Sequence, residues 1–202
     1  VTGATALTIA GNVVDEANLK VSNSPTNGYF LTAQSGNTGG MTWAAPPGGG
    51  KILQVKSAVK LDRTTLSNTS LTNISDLSVA ITPSASNSKI FINAFIGAIG
   101  GNGYQSFLGL ARGGTNIIKG DSAGSTFRCT VAVDAAGGST TSVHGGFNMT
   151  FLDSPSSTSE QTYTIQAAVR SGGYVLIGGT SNTTLSYFAS GACSIVVMEV
   201  SA

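Results

Sequence analysis

Catalysis in this chain would have to use one histidine, many serines and nine carboxylates. His144 could act as the general base for a serine nucleophile, oriented by Asp153 or Asp134. However, a serine-rich chain places a serine near any histidine by chance. The sequence therefore predicts no catalytic residue and no enzyme.

Glycoside cleavage would require two carboxyl groups about 5 to 10 Å apart. The acidic residues stand singly beside turn-forming residues or at the ends of strand-like segments. They include Asp62, Asp76, Asp121, Asp134, Asp153 and Glu160. We expect these side chains to be solvated at loops, and glycan cleavage stays a minor alternative.

A metal or cofactor site has as little support in the sequence as glycan cleavage does. One histidine and two distant cysteines, Cys129 and Cys193, form no ligand cluster, which leaves a cation on a symmetry axis as an alternative. Residues 97–105 are glycine-rich but lack the Lys-Ser/Thr ending and the helix of a phosphate loop. No metal and no cofactor are predicted.

Both cysteines lie in apolar runs, so we expect buried thiols, with one interstrand disulfide as the alternative.

The chain carries very little charge. Only 9% of its residues are charged, and the net charge is +1. Nucleic-acid binding is excluded because phosphate recognition needs clustered Lys and Arg. A surface this poor in charge favours self-association. No apolar run approaches the ~20 residues of a spanning helix, so no membrane insertion is expected. Because the chain begins at Val1 rather than Met, we expect it to be part of a longer protein.

The elements that would position any site are strands. From Lys51 onward, short segments rich in Val, Ile, Phe, Tyr and Thr alternate with Gly, Asn, Ser and Asp clusters, which predicts an all-β sandwich. The predicted strands are 51–60, 66–72, 77–82, 88–98, 104–112, 115–119, 127–134, 143–152, 161–170, 174–179 and 187–200.

Three of these segments carry further detail. Residues 161–170 alternate as a strand with one wet face, whereas both faces of 193–200 are apolar, which predicts a central strand covered on both sides. Gly113-Gly114 and Gly172-Gly173 each predict a two-residue hairpin turn.

The first fifty residues have a different composition and pattern of apolar residues. They contain short alternating segments followed by a polar strap, residues 22–50, with too few apolar residues to close a core alone. Pro46-Pro47 and three glycines follow Trp43 and mark a hinge at 46–50. We therefore predict a connector or intertwined stalk segment at 1–50 and a β-sandwich head at 51–202.

Residues 19–46, LKVSNSPTNGYFLTAQSGNTGGMTWAAP, resemble a recurrent connector of tail fibres and other virion structural proteins of tailed phages, especially those of marine bacteria and cyanobacteria. Its most recognisable points are Asn27-Gly28, Leu31, Gln34-Ser35-Gly36 and Thr42-Trp43. The following domain is also similar, through GKILQVKSAVK, LSVAITPSASNSKIFI, LARGGTNIIKGD, TFLDSPSSTSEQTYTIQ and the ending IVVMEVSA. The matching segments span most of residues 15–202.

The resemblance implies a homotrimeric fibre or appendage component on the virion surface, outside the cell. It implies a head like the trimeric jelly roll of tumour-necrosis-factor-like proteins, with the N-terminal region joined to other virion proteins. Three straps could share a core with Trp43 at the base of the heads. The implied function is attachment to a host surface glycan or protein. One alternative is an architectural capsid or tail decoration protein, and another is a glycan-binding or glycan-cleaving module.

Candidate receptor contacts are aromatic residues that stand beside Gly and Asn in predicted loops. Such aromatic residues can stack on sugars or on a receptor surface. They are Tyr104, Tyr174, Tyr187 and Phe188.

Overall fold

The computed structural model describes residues 20–36, 39–46, 51–101, 105–133, 142–179 and 190–201, with only the backbone of 142–144. These residues form antiparallel sheets and contain no helix, so the all-β prediction is confirmed. No helix in these ranges could therefore cross a lipid bilayer. The chain divides into two compact units, residues 1–49 and 50–202.

The strands are numbered in chain order. They are β1 Phe30–Ala33, β2 Met41–Ala44, β3 Ile52–Lys60, β4 Thr64–Leu66, β5 Thr72–Ile81, β6 Lys89–Ile96, β7 Ile99–Gly101, β8 Ser106–Arg112, β9 Thr115–Ile118, β10 Val131–Val133, β11 Ser142–His144, β12 Phe147–Asp153, β13 Gln161–Val169, β14 Val175–Ile177 and β15 Cys193–Val200.

In the first unit, β1 and β2 form an antiparallel ribbon in which Leu31 is opposite Trp43. Asn23 ties the preceding segment to this ribbon. Its Nδ2 donates to the carbonyl oxygen of Trp43 at 2.8 Å, and its Oδ1 accepts from the Trp43 N–H at 2.8 Å. The Thr42 hydroxyl donates to the same Oδ1 at 3.0 Å. The polar residues of the strap thus stabilise local structure through side chain to backbone bonds.

The second unit is built on two sheets. Sheet 1 has the order β12-β6-β15-β3, and sheet 2 has the order β10-β8-β13-β5 with β9 also on β8. Along the chain, β3, β6, β12 and β15 of sheet 1 alternate with β5, β8 and β13 of sheet 2. This is the jelly-roll arrangement of a β-sandwich.

One edge of sheet 2 is shared by two short strands. β9 pairs with the end of β8 near Arg112 and β10 with its beginning near Ser106. Thr130 joins them, because its Oγ1 accepts from the N–H of Leu110 at 3.0 Å and donates to the carbonyl of Ile118 at 2.6 Å. Residues 119–129 therefore form an excursion from a single edge.

The core lies between the inner faces of the two sheets. Alternate residues of each strand point into it and are almost fully buried, as period-two alternation requires. They include Ile92 and Ile96 of β6, Ile195 and Val197 of β15, Leu108 and Leu110 of β8, and Ile165 of β13.

Sheet 3 has the order β11-β7-β14-β4. Its strand β7 comes directly after β6 of sheet 1 in the chain, with a short break between them. Only Gly97 and Ala98 separate β6 from β7. Two backbones touch at this break, since a Cβ on Gly97 would lie 2.2 Å from the carbonyl oxygen of Ala192, and one on Gly191 would lie 2.6 Å from the carbonyl carbon of Gly97. Glycine is required at both positions by close backbone approach.

The structure corrects the prediction of a wet face on β13. Residues 163–169 are all buried, including Thr164 and Gln166 on the supposed wet face. The Thr164 hydroxyl lies 2.8 Å from that of Ser78, and Gln166 Nε2 donates to Asn73 Oδ1 at 3.0 Å. Hydrogen bonds therefore satisfy polar side chains that a pattern of hydrophobicity alone places in water.

Two other strand predictions were wrong. Residues 67–71 form no strand; instead Leu71 lies over Gly109, where an added Cβ would approach its Cδ1 to 3.0 Å. Residues 127–130 precede β10, so Cys129 is a half-buried free thiol in a loop, whereas Cys193 is buried and free. Burial raises the pKa of the Cys129 thiol, which keeps it protonated.

The two predicted hairpin turns differ. Gly113 and Gly114, with φ of 55° and 82°, join β8 to β9 as predicted. Gly172 also has positive φ, and Gly173 N–H donates to the carbonyl of Arg170 at 3.1 Å. That second turn connects β13 in sheet 2 to β14 in sheet 3, so it is a crossing between sheets rather than a hairpin.

Candidate functional site

The outer surface of sheet 1 is the first candidate. The strand register places Val55, Met198, Phe91 and Leu152 side by side, one from each strand, in a continuous apolar row. A bulge beside Glu199 places Ile52 and Leu53 at one end, and Val59 and Phe95 lie in the row at the other end, beside Ser194 and Asn148. The row between them holds Val196 with the polar residues Ser57, Asn93 and Thr150. We call this surface, formed by the outward residues of β3, β6, β12 and β15, the apolar face.

The apolar face is exposed and nearly uncharged in the single chain. Val55 is 53% exposed, Val59 57% and Leu152 54%. Of the outward residues on these four fully described strands, Lys89 alone is charged, and its Nζ donates to Ser154 Oγ at 2.8 Å. Natural proteins rarely leave an extended apolar surface of this kind without a partner.

The terminal strand shows the same property. β15 is central in sheet 1, as predicted, and its inward residues Cys193, Ile195 and Val197 are fully buried. Its outward residues Val196 and Met198 are only half-buried within one chain. The prediction that both faces are covered therefore does not hold within one chain.

The second candidate is a groove of about 740 Å³ at one end of sheet 2. Clefts of roughly 300–1,000 Å³ are typical of small-ligand sites. Five described segments line it, around residues 69, 105–107, 125–127, 132–133 and 169–171. Val169 N–H donates to the carbonyl of Asn68 at 2.9 Å, and Arg170 N–H to that of Gln105 at 2.9 Å. These bonds fix three of the five segments.

An aromatic pair forms one wall of the groove. Phe107 lies on the outer side of β8, because Leu108 and Leu110 point into the core. Phe127, in the excursion 119–129, stacks on it with ring centroids 4.3 Å apart and an interplanar angle of 16°. Phe127 remains 40% exposed, so part of its surface is open to a ligand.

The remaining lining is polar with a single charge. Hydroxyl and amide groups come from Thr69, Gln105, Ser125, Thr126 and Ser171. In the described part of the lining, Arg170 is the only charged residue. It is exposed and forms no ion pair with the residues that the structure describes.

Of the four aromatic residues predicted as receptor contacts, the structure describes one. Tyr174 is half-buried, immediately before β14, and does not line the groove. Tyr104, Tyr187 and Phe188 lie outside the described residues. Sequence reasoning missed Phe107, Phe127 and Arg170, which were assigned to strands. The only signal was an aromatic residue within a Gly- and Ser-rich stretch, GDSAGSTF.

Two of the acidic residues considered for catalysis share one lysine. Lys60 is fully buried, and its Nζ lies 2.9 Å from Asp62 Oδ1 and 3.6 Å from Asp76 Oδ2. The hydrogen bond from Lys60 lowers the pKa of Asp62. A general acid of a glycosidase needs a raised pKa, so this cluster fits neutralisation of a buried lysine rather than acid catalysis.

The carboxylate of Asp153 is also bound by neighbouring side chains. Arg112 Nη1 donates to Asp153 Oδ2 at 2.5 Å, and the buried Tyr163 hydroxyl donates to the same oxygen at 2.7 Å. Burial and the neighbouring Asp153 raise the pKa of Tyr163. Of the partners considered for His144, Asp153 is therefore engaged by other side chains, and Asp134 lies outside the described residues. The backbone of His144 pairs with Ile99.

Glu199 is an acidic residue that the sequence analysis did not single out. It points into the sandwich from β15 and is fully buried. Gln54 Nε2 donates to its Oε2 at 2.6 Å, and the N–H and hydroxyl of Ser84 donate to its Oε1 at 2.7 and 2.6 Å. Burial opposes ionisation, but these bonds and one from Ser88 prevail and lower the pKa of Glu199 to about 2.

Metal ligands are not gathered in the part of the chain that the structure describes. There, no three His, Cys, Asp or Glu side chains lie close enough to hold one ion. Comparison of the chain with protein-family models and with curated proteins finds no match. The two surfaces, the apolar face and the groove, therefore carry the functional argument.

Proposed function

We propose that this protein is a non-catalytic virion structural protein, a fibre or appendage component of a tailed phage, which attaches the particle to its host as a homotrimer. The observation that carries this proposal is the exposed, nearly uncharged apolar face of sheet 1. The phage assignment itself rests on the sequence resemblance over residues 15–202.

Self-association through the apolar face follows from its size and chemistry. Four strands about 4.8 Å apart and about eight residues long span roughly 500 Å². Most outward side chains on this area are apolar, so its apolar part is comparable to the largest apolar patches on monomers. A second copy of the chain fits this surface because the face carries almost no charge that burial would desolvate. It also fits the chain as a whole, which has only 9% charged residues.

The jelly roll separates assembly from attachment. The apolar face is the outer surface of sheet 1, whereas the groove opens at an end of sheet 2. Copies that bury the apolar face would leave their grooves accessible. Several weak contacts on one particle then add up to firm adsorption, with a gain of about 10²–10⁴ over one site.

Two alternatives make different use of the same surfaces. An architectural decoration protein would use the apolar face without the groove. A glycan-binding module would use the groove, and the aromatic pair favours this reading. Cleavage of the glycan is less well supported, because the reaction needs two carboxylates and none is found among the lining residues that the structure describes.

The proposal is tested by binding of the fluorescent protein to a panel of bacterial strains. Val55→Glu places a charge on the apolar face, and Ala80→Glu is the matched control on the exposed outer side of sheet 2. We expect the wild type and Ala80→Glu to stay on responsive cells after washing. Val55→Glu should dissociate from these cells at least about 100-fold faster than the wild type, because each of its single heads binds alone.

Two results would contradict the proposal. Equal retention of Val55→Glu and the wild type would mean that attachment does not depend on assembly. Assembly of the wild type without retention on any strain would favour the architectural alternative.

A further inference from the structure

We propose that the groove at the end of sheet 2 binds an acidic saccharide, with Phe127 against the apolar face of a sugar ring and Arg170 paired to its carboxylate. This inference rests on the proposed attachment function and specifies the ligand class. It concerns residues that the sequence resemblance does not single out.

The first argument is the exposed ring of Phe127. Phe107 supports it from below at 4.3 Å, which holds the ring in a fixed orientation. A pyranose has one face of C–H groups that packs on an aromatic ring, and burying that face stabilises the complex. A rigid aromatic platform gives this contact at a small cost in side-chain entropy.

The second argument is the polar lining. Gln105, Thr69 and Ser171 present amide and hydroxyl groups around the platform. Such groups donate and accept hydrogen bonds, as sugar hydroxyls do, so the two sets are complementary. A purely apolar ligand would leave these lining groups unpaired and would bind poorly.

The third argument is the charge. Among the described lining residues, Arg170 alone is charged, and it forms no ion pair with any described residue. A guanidinium binds a carboxylate through two parallel N–H···O bonds. The backbone bond from Arg170 N–H to Gln105 at 2.9 Å fixes its Cα at the end of β13, beside the groove. One positive charge in the described lining matches a ligand with one negative charge per ring.

Calorimetry with trigalacturonic acid and with its methyl ester tests the inference on the full chain. The wild type should bind the acid about 10- to 100-fold more tightly than the ester, because the ester loses a charge-assisted bond. Arg170→Ala should lose this preference and bind both weakly. Arg170→Lys should recover part of it, since it keeps the charge but not the bidentate geometry. Phe127→Ala should weaken both ligands.

Lys119→Ala is the control, because it removes one exposed positive charge that does not line the groove. It should bind like the wild type. Equal affinity for acid and ester, an unchanged Arg170→Ala, or no binding of either ligand at millimolar concentration would overturn the inference. The native mass separates this failure from that of the proposed function, since the groove variants should assemble as the wild type does.

Discussion

At the residue scale, the buried charged groups that the structure describes are held by partners within the sandwich. Glu199, Asp153 and Lys60 each have hydrogen-bond or ion-pair partners. The sequence analysis considered Asp153 as a partner of His144 or as a solvated loop acid. It passed over Glu199, since a single acid in the run CSIVVMEV gives no sign of its partners. Those partners, Gln54 and Ser84, are 145 and 115 residues away in the chain.

Glu199 makes stability depend on pH. Its pKa falls from 4.5 in the unfolded chain to about 2 in the fold, so its contribution is complete above pH 4.5. That contribution is lost as the pH falls from about 4.5 to about 2, and it amounts to something on the order of 3 kcal/mol. Glu199→Gln should unfold at lower urea concentration at pH 7 and lose less stability than the wild type in acid.

Urea titrations at pH 7, 4 and 3 measure this difference. Glu160→Gln is the matched control, because Glu160 is exposed. It should follow the wild-type curve throughout. An unchanged acid dependence in Glu199→Gln would show that another group sets it.

At the element scale, most strands of the head could be predicted because period-two alternation and turn residues are local signals. The hairpin at Gly113-Gly114 and the central position of β15 are two examples. The groove could not be predicted, because Thr69, Phe107, Phe127 and Arg170 meet only through sheet pairing. Residues 67–71 were predicted to be a strand partly because Leu71 is apolar. In the structure they form a loop, and the Leu71 side chain packs on Gly109.

The contact between the backbones at Gly97 and Gly191 gives a prediction at this scale. Gly97→Ala would place a Cβ 2.2 Å from the carbonyl oxygen of Ala192, so β6 or the segment before β15 must shift. We expect a loss of about 1–3 kcal/mol or more in the free energy of unfolding. Thermal unfolding measures it, as a melting temperature lower by several degrees.

Gly145→Ala is the matched control, because no atom lies within 4 Å of its added Cβ. That variant should stay within about 0.5 kcal/mol of the wild type. Equal melting temperatures for the two variants would show that the backbone approach at Gly97 is not tight.

At the scale of the whole molecule, the head has two candidate surfaces, one on each main sheet. We propose the apolar face for a second copy and the groove for a ligand. The low charge of the sequence predicts self-association, but it does not indicate which surface would be used. The apolar residues on both sides of 193–200 predicted that both faces of β15 are buried. Within one chain, only the inward face is buried.

The native mass of the full chain in solution tests the central claim most directly. Light scattering should give three times 20.2 kDa for the wild type and for Ala80→Glu over a wide concentration range. Val55→Glu should give the mass of one chain, because a buried unpaired charge destabilises the interface. A wild type with the mass of a single chain, or a Val55→Glu variant that still assembles, would contradict the account.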